Sequence, residues 1–390
     1  MKLLRRTWAD VSLDNLSHNY KVLRENVPGD CRFLGVVKAD AYGHGAVPIS
    51  HHLQELGADF LAVSNLEEAV QLRRAEVTLP VLLLGYTPPA YARDLADLEI
   101  RQEIHSLAYA RELNDRLRGT GARVKVHLKL DTGMSRLGFF ADAPETVDEL
   151  LAVCALPHLE VEGIFTHFSV ADSLAPEDAA FTRRQYAAFR QVVSALEAAG
   201  KRPEICHCCN SGATILYPEY AMDMVRPGVA TYGIAPSAEL AGRMDLRPLM
   251  SLRSTISQIR TFPAGTAVGY GRAYVTPGER RLAVVCIGYA DGLSRLFSGR
   301  LSFLIRGREA PVVGNICMDM CMVDVTGVPE AAVGDPVTVF GRDGEQFIPV
   351  ERLSDTLGTI SYDILCGINK RIPRIYLDGK RQTEILQYIV

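Results

Sequence analysis

The alternation of short apolar runs with helical stretches constrains the fold of this chain more than any other feature. Eight apolar runs are predicted to be strands, and they cover residues 33–37, 59–63, 80–84, 100–105, 124–130, 159–166, 204–209 and 223–225. Between these runs, apolar residues recur at the spacing of amphipathic helices. This alternation predicts an α/β fold, a (β/α)8 TIM barrel with a parallel sheet. An open doubly wound sheet is disfavoured, because no glycine-rich fingerprint follows the first strand.

The pattern changes near Ala235–Pro236, where the long helices end. From Pro248 onward, predicted strands follow one another across turn signals, at residues 251–259, 281–287, 302–305, 317–325 and 336–340. A second, β-rich domain of about 140 residues has a normal domain size. The predicted boundaries are therefore 12–240 for the barrel and 241–390 for the β-rich domain, with residues 1–11 pairing with the second domain.

Composition and charge exclude several classes of protein. The net charge of −4, with interspersed signs, gives no basic surface of the kind that binds nucleic acid or a membrane. The N-terminus is basic but lacks the apolar segment of a secretory signal, and no apolar run approaches the length of a membrane span. The nine cysteines, an odd number, indicate free thiols in a reducing compartment. We therefore expect a cytoplasmic protein with no nucleic-acid or membrane partner.

A lysine stands at the end of the first predicted strand. Lys38 closes the apolar run 33–37, where an unpaired buried charge is costly. A partly desolvated amine loses its proton more easily and becomes a nucleophile toward an aldehyde, so this position suits Schiff-base formation. Tyr42 follows, and Gly43 and Gly45 allow the backbone to approach a ligand before a helix begins. The alternative is an ordinary lysine whose amine reaches solvent.

Polar residues also end four other predicted barrel strands. They are Lys129 and Asp131 after the fifth strand, His167 after the sixth, Asn210 and Ser211 after the seventh, and Arg226 after the eighth. Because barrel enzymes place their chemistry on the loops that follow the strands, we expect these side chains to share one rim with Lys38. Ser211, with the backbone amides of the next helix and of Gly228, suits a phosphate group. Taken singly, the histidine or the arginine could be a structural residue.

The run Cys206–Cys209 raises the alternative of a metal site. Alternation along a strand places Cys206 and Cys208 on one face, and His207 and Cys209 on the other. The sequence has no second cluster with the spacing of zinc ligands. We therefore expect no metal, and interpret these cysteines as buried thiols that pack the barrel.

Several segments of the barrel region resemble alanine racemases. They are VVKADAYGHG (36–45), DTGMSRLG (131–138), FTHF (165–168), NSG (210–212) and MVRPGVATYGIAP (224–236). The resemblance implies that pyridoxal 5'-phosphate is bound through Lys38. The other cofactor-binding residues that it implies are Tyr42, His167, Asn210, Ser211, Arg226, Gly228, Val229 and Tyr362. In the family, the lysine that matches Lys129 is often carbamylated and positions the arginine that matches Arg136.

The resemblance gives Arg226 an electronic role. If its guanidinium faces the pyridine nitrogen, a permanently charged donor keeps that nitrogen unprotonated. The cofactor then withdraws electrons less strongly and a proton returns quickly to the α-carbon, which suits racemization better than transamination. His167 is expected to support Arg226 as a hydrogen-bonding partner.

The β-rich region carries further segments that resemble the family. They are VGYGRAY (268–274), IGYADG (287–292), GNICMDM (314–320) and TISYDILCGI (359–368). Racemization needs an acid–base group on each face of the substrate carbon, and Lys38 supplies only one. By resemblance the second is Tyr270, which acts on the active site of a partner subunit and so implies a homodimer. The residues that the resemblance implies bind the substrate or support its site are Arg136, Met318, Tyr289, Cys317 and Asp319.

The implied activity is the interconversion of L-alanine and D-alanine, which supplies D-alanine for peptidoglycan. The first alternative is a racemase for a larger amino acid such as serine or lysine, and Tyr362 disfavours it because relatives of broader specificity tend to carry a smaller residue there. The second is an amino-acid decarboxylase of the same architecture, which would place an acidic residue where Arg226 stands. A non-catalytic carrier of the cofactor would not need the second domain with Tyr270.

Overall fold

The computed structural model describes residues 6–389, and the chain separates into two compact units. The barrel unit consists of Leu16–Ala41 and Ala46–Arg247. The β-rich unit holds the described residues up to Asn15, the short segment Tyr42–Gly45, and the chain from Pro248 onward. The domain boundaries 12–240 and 241–390 stay a prediction. Residues 1–5 of the predicted pairing segment 1–11 lie outside the described residues.

The barrel unit is built on eight parallel strands. They are Arg32–Val36, Phe60–Val63, Val81–Leu83, Ile100–Ile104, Val124–Asp131, Leu159–Phe165, Ile205–His207 and Met224–Val225. Neighbours in the chain pair side by side from the first to the seventh, and the eighth pairs with the first. The short strand Phe139–Phe140 adds to the end of the fifth. The predicted barrel is confirmed as a nearly closed eight-stranded parallel sheet, because each apolar run forms a strand that helices cover.

One helix precedes the first barrel strand, and the other seven each follow a strand. Their bounds are Leu13–Glu25, Ala46–Glu55, Leu66–Arg74, Ala92–Asp97, Leu107–Arg116, Thr146–Cys154, Pro176–Ala198 and Ser211–Leu216. Several begin where the sequence supplies a capping group. Asn65 accepts a hydrogen bond from the amide of Glu68, and Ser106 accepts one from the amide of Tyr109. Pro176 occupies the first turn of the longest helix, where its missing N–H costs nothing.

The β-rich unit contains a ten-stranded sheet. In sheet order its strands are Gln346–Ile348, Pro336–Asp343, Ser302–Ile305, Arg308–Val313, Cys321–Asp324, Arg280–Val285, Met250–Phe262, Thr7–Ser12, Arg374–Asp378 and Arg381–Leu386. Thr7–Ser12 runs antiparallel to Met250–Phe262 and parallel to Arg374–Asp378. The unit also contains a small ribbon, Ala267–Val268 with Tyr274–Val275, and the helices Val350–Leu357 and Ser361–Cys366. Short 3-10 helices cover Tyr270–Arg272, Tyr289–Asp291 and Arg295–Phe297.

One predicted strand starts later than the sequence pattern suggests. The strand expected from residue 317 begins at Cys321, because residues 317–320 form a turn in which the amide of Cys317 donates to the carbonyl of Met320 at 3.0 Å. The sequence pattern does not predict the strands Arg308–Val313 and Arg374–Asp378. Charged residues in both, and a proline in the first, obscure the alternation of polar and apolar residues that is typical of a strand. Over residues 6–389, no helix is both long enough and apolar enough to cross a membrane.

Candidate active site

Lys38 lies two residues after the end of the first barrel strand, Arg32–Val36, and opens a left-handed turn. The next four residues, Ala39–Tyr42, have φ between 51° and 55°, although none of them is glycine. Each such residue costs roughly 1–2 kcal/mol, so surrounding contacts must hold the turn. The amide of Ala39 donates to Glu68 at 2.7 Å, and Asp40 accepts from the amide of Ala46 at 2.8 Å. Backbone strain that is held in this way is typical of functional sites.

Arg226 is a buried cation of the barrel unit that several hydrogen bonds hold in place. Its side chain is buried, and Nη2 donates to the carbonyls of Thr166 at 2.8 Å and Cys208 at 3.2 Å. Nη1 donates to His207 at 2.9 Å, and Nη2 reaches His167 at 3.4 Å. Burial lowers the pKa of Arg226 to about 10, so the group stays charged at neutral pH. Among residues 6–389, no acceptor faces its Nε–H, which remains available to a ligand.

His167 lies where the positive groups of the barrel unit converge. Burial, followed by the charges of nearby cations, lowers the pKa of His167 well below its usual value, so the ring is neutral at physiological pH. The cations that act on it are Arg226, Lys129, Arg136 and Lys38. The barrel unit therefore gathers these predicted site residues around one histidine.

Lys129 is an unusually acidic lysine. It is 6% exposed, and burial together with Arg226 lowers its pKa to about 7. Its ammonium group donates to the carbonyl of Leu130 at 2.7 Å and lies 5.3 Å from the centre of the Phe165 ring. About half of the lysine is neutral near pH 7, so its amine is a competent nucleophile.

The loop that carries Arg136 is shaped by Asp131. One carboxylate oxygen of Asp131 accepts from the amides of Gly133 at 2.9 Å and Ser135 at 3.0 Å. Ser135 itself has φ of 55°. These hydrogen bonds fix the backbone at the start of the loop. The Arg136 side chain is exposed and accessible to a ligand.

Backbone amides and a hydroxyl converge near Ser211. The amides of Gly228 and Ala230 donate to Ser211 Oγ at 2.8 and 3.3 Å. Val229, between them, is buried and begins a short 3-10 helix. Asn210 caps the helix that starts at Ser211, accepting from the amide at position 213 and donating to the carbonyl at position 168. Amides that point at one oxygen atom form the kind of nest that binds a phosphate oxygen.

In the β-rich unit, three predicted site residues stand on adjoining loops. Tyr270 is 68% exposed, Met318 53% and Tyr289 41%. The amide of Tyr289 donates to the carbonyl of Cys317 at 3.0 Å. Asn315 links the loops, because its Nδ2 donates to the carbonyl of Tyr270 at 2.8 Å. Tyr270 lies between two glycines with φ of 72° and 70°, so the loop needs glycine at both positions.

A buried carboxylate orders the base of these loops. Asp291 is fully buried and accepts from the amide of Gly288 at 2.9 Å, from Arg6 at 2.6 Å and from Arg371 at 2.8 Å. Arg371 also pairs with Asp319 at 2.6 Å. Gly288 lies so close to the carbonyl of Cys317 that a Cβ atom there would overlap it. Asp291 lies within the segment IGYADG, and its contacts show that it supports these loops, a role that the motif alone did not assign.

Tyr42 and Tyr362 form a separate pair in the same unit. Their rings meet edge to face with centroids 5.8 Å apart. Burial, with contributions from Tyr362 and Cys366, raises the pKa of Tyr42, so its hydroxyl keeps its proton and acts as a donor. Both residues were predicted to bind the cofactor, and the structure brings the two hydroxyl-bearing rings together.

The cysteine run has the properties expected of packing residues. Cys206, Cys208 and Cys209 are fully buried, and burial raises the pKa of Cys206 to about 12. Within the described part of the chain, no group of three or more histidine, cysteine or acidic residues is arranged to hold a metal ion. His207, in the middle of the run, instead contacts Arg226.

The barrel-unit residues fit pyridoxal 5'-phosphate by the chemistry of their groups. The convergent amides at Ser211 suit its phosphate. The unpaired Nε–H of Arg226 suits an acceptor such as the pyridine nitrogen. Lys38, half-buried at a strand end, suits its aldehyde.

Both units of the chain match known protein families. Residues 11–236 match the family model for the alanine racemase N-terminal domain, and residues 249–376 match the model for the C-terminal domain. The chain belongs to the alanine racemase family, whose members are isomerases. The resemblance read from the motifs is thereby confirmed.

Individual relatives are similar over nearly the whole chain. An alanine racemase of Desulfosudis oleivorans is 43% identical over 380 residues, which is 95% of this chain and 97% of that protein. An alanine racemase of Clostridium perfringens is 39% identical and covers 99% of both chains. The structure of an alanine racemase from Clostridium difficile 630 is 37% identical, with a TM-score of 0.95 over 100% of both chains. A histidine racemase from Leuconostoc mesenteroides is also similar, 30% identical with a TM-score of 0.87 over 96% of this chain and 98% of its own.

Proposed function

We propose that this protein interconverts L-alanine and D-alanine with pyridoxal 5'-phosphate, using two bases. The single observation that carries the proposal is the convergence of Lys38, Lys129, Arg136 and Arg226 on neutral His167 in a chain of this family. The product D-alanine would supply peptidoglycan, and we expect the enzyme to work in the cytoplasm.

The cofactor would be held at three points of the barrel unit. Lys38 would join its aldehyde, the amides near Ser211 would bind its phosphate with Gly228 and Val229, and Arg226 would donate to its ring nitrogen. Asn210 keeps the phosphate loop in place through its capping bonds. Tyr42 and Tyr362 supply further hydroxyl donors. When bound, pyridoxal phosphate withdraws electrons from the bond between the α-carbon and its hydrogen.

Two proton carriers would act on the two faces of the substrate. Lys38, released when the substrate amine takes its place, removes or returns the proton on one face. Tyr270 does so on the other. Arg226 stays charged, so it would donate to the ring nitrogen of the cofactor and keep electron withdrawal weak. A proton removed from the α-carbon is then replaced quickly, which favours racemization over transamination.

The substrate would be bound by its carboxylate and limited by its side chain. Arg136 is an exposed guanidinium on a pinned loop, which suits a carboxylate. The carbonyl of Met318 is already used by the amide of Ala290 at 2.9 Å, and its own amide would point to the ligand. Tyr289 and Tyr362 would narrow the entrance to a methyl-sized side chain, with Cys317 and Asp319 supporting the loop.

A homodimer with shared active sites would complete this arrangement. Tyr270, Met318 and Tyr289 are all more than two-fifths exposed on a single chain. A general base must be held within hydrogen-bond reach of the proton that it moves, so these loops need a substrate-bearing surface against them. We therefore propose that the barrel unit of a partner subunit covers these loops, so that each active site combines residues of two chains.

We expect Lys129 to carry a carbamate. Its neutral amine attacks carbon dioxide: an N–C bond forms, the electron pair of one C=O π bond moves to oxygen to give the carboxylate, and one proton of the nitrogen is released to solvent. Because the pKa of Lys129 is about 7, the fraction of reactive neutral amine, and with it the amount of adduct, should rise from pH 6 to pH 8. Carbon-13 NMR after addition of labelled bicarbonate measures the adduct.

Lys125 is the matched control for this reaction. It lies on the same strand, and its hydrogen bond to Glu162 raises its pKa, so it stays protonated. The signal should vanish in Lys129→Gln and persist in Lys125→Gln. A carbamate signal that survives Lys129→Gln would show that this lysine is not the modified group.

A panel of amino acids tests the substrate assignment. The protein with added pyridoxal 5'-phosphate is incubated separately with L-alanine, L-serine, L-lysine and L-histidine, and chiral chromatography follows the D-enantiomers. We expect alanine to react fastest by a wide margin. Faster turnover of histidine or lysine would favour a racemase for a larger amino acid, as in the Leuconostoc relative, and release of carbon dioxide would favour a decarboxylase.

A further inference from the structure

A line of hydrogen bonds leads from Arg226 into the interior of the barrel unit. Arg226 Nη1 lies 2.9 Å from His207 Nδ1. His207 Nε2 lies 2.9 Å from His127 Nδ1, and His127 Nε2 lies 3.3 Å from Glu162 Oε2. Both imidazole rings are fully buried. The line ends at a carboxylate that none of the family motifs includes.

The chemistry of arginine fixes every proton along this line. A guanidinium has only donors, so His207 Nδ1 must accept and the proton of His207 is on Nε2. That proton is donated to His127 Nδ1, which leaves the proton of His127 on Nε2, facing Glu162. Burial lowers the pKa of both histidines, so each ring is neutral and carries one proton. A cation and an anion are thus joined through two neutral rings of defined tautomer.

The far end of the line is kept anionic. Burial pushes the pKa of Glu162 upward, but hydrogen bonds from His127, Lys125 and Arg101 outweigh this and hold it well below its usual range. Lys125 Nζ lies 2.8 Å from one carboxylate oxygen, and Arg101 Nε lies 3.1 Å from the other. The carboxylate is therefore an acceptor at any physiological pH.

The residues around His127 and His207 accommodate the two imidazole rings and hold them in position. A Cβ atom at Gly163 would overlap the ring of His127, so glycine is required inside this strand. The register between the fifth and sixth barrel strands shifts between Val126 and His127. Phe165 stacks on His207 with centroids 4.9 Å apart and an interplanar angle of 11°. Packing and backbone geometry thus hold both rings in the line.

We infer that Glu162 and His127 are positioning residues that fix the tautomer of His207 and thereby the orientation of the Arg226 guanidinium. An anion at the end of two polarised imidazoles makes His207 Nδ1 a stronger acceptor for Arg226. The guanidinium is then held with Nε–H directed away from the line. The consequence for the reaction rests on the proposed function, in which that donor meets the cofactor ring nitrogen.

Histidine nitrogen NMR tests the proton placement in the unaltered protein. Protein labelled with nitrogen-15 histidine, with pyridoxal 5'-phosphate added, is recorded between pH 6 and 8, and signals are assigned by their loss in His127→Gln and His207→Gln. We expect both rings to be neutral Nε2–H tautomers across this range. A proton on Nδ1 of either ring, or a doubly protonated ring, would overturn the inference.

Glu162→Gln tests the effect of the carboxylate, with Glu160→Gln as the matched control. Glu160 lies on the same strand and pairs with Lys125 at 3.7 Å, at the exposed surface. In Glu162→Gln we expect the His127 Nε2 proton to move upfield, and kcat to fall roughly tenfold with KM nearly unchanged. Glu160→Gln should alter neither. Equal behaviour of the two variants in both measurements would contradict the inference.

The two proposals fail in different ways. A wild-type protein with the expected tautomers that does not racemize any amino acid would contradict the proposed function. A protein that racemizes alanine while His207 carries its proton on Nδ1 would contradict only this inference.

Discussion

Lys38→Ala is expected to lower kcat for racemization by on the order of 10⁴, because the variant loses both one base and the covalent attachment of the cofactor. It should also lose the near-visible absorbance band that pyridoxal phosphate acquires when joined to a lysine. Lys38 is the only predicted site lysine that follows the first barrel strand. The left-handed turn after it fixes where its amine emerges.

The absorbance and the rate separate the two roles of Lys38. Lys201→Ala, at an exposed lysine, controls for the general loss of a cation and should keep both the band and the activity. Retention of the band in Lys38→Ala would place the cofactor on another lysine. Added methylamine should restore part of the rate in Lys38→Ala, because a small amine can stand in for the missing base.

Tyr270→Phe is expected to keep the absorbance band and to impair proton exchange in one direction. Exchange of the α-hydrogen of L-alanine with deuterated solvent should fall by on the order of 10³, whereas exchange from D-alanine, which depends on Lys38, should change far less. Proton NMR of the α-hydrogen in D2O measures both. Tyr274→Phe, in the same loop segment, is the matched control and should leave both exchange rates unchanged. Equal losses from both enantiomers would contradict the two-base assignment.

Mixing the two inactive variants tests whether the site is shared between subunits. In a hybrid dimer of Lys38→Ala with Tyr270→Phe, one site has both bases and the other has neither. Random exchange of equal amounts of the two subunits makes about half of the dimers hybrids, and each hybrid has one working site of two. The mixture should therefore recover about a quarter of the wild-type activity. If each site were built from one chain, the mixture would stay inactive.

The barrel could be predicted because its signal is local. Most of its parallel strands are short apolar runs, and five of the eight predicted strand ends carry a polar residue that the sequence displays, such as Lys38 or Arg226. Tyr270 could be singled out because its neighbouring glycines indicate an unusual backbone, and both have positive φ. The family motifs added the roles that spacing alone left open.

Other features depend on contacts that sequence spacing does not encode. The left-handed turn over Ala39–Tyr42 contains no glycine of its own, so its backbone conformation could not be read from residue type. The supporting role of Asp291 depends on its contacts with Arg6 and Arg371, which are distant from it in the sequence.

The sequence of the fifth barrel strand does contain a pattern that indicates buried polar contacts. Lys125, His127 and Lys129 alternate with apolar residues, which places three polar side chains on one face of a buried strand. His127 and Glu162 lie inside their strands, so a prediction based on the residues at strand ends includes neither of them. A polar residue at alternate positions of a buried strand needs a partner, and that requirement would have predicted the line that ends at Glu162.

The central claim is a two-base racemization of alanine, and one measurement tests it most directly. The purified protein is given pyridoxal 5'-phosphate and L-alanine in D2O, and optical rotation is followed together with deuterium at the α-carbon. We predict that both change at related rates and that the reaction stops at a racemic, α-deuterated mixture. Deuterium exchange with full retention of the L configuration, release of carbon dioxide, or unchanged alanine in the presence of bound cofactor would contradict the claim.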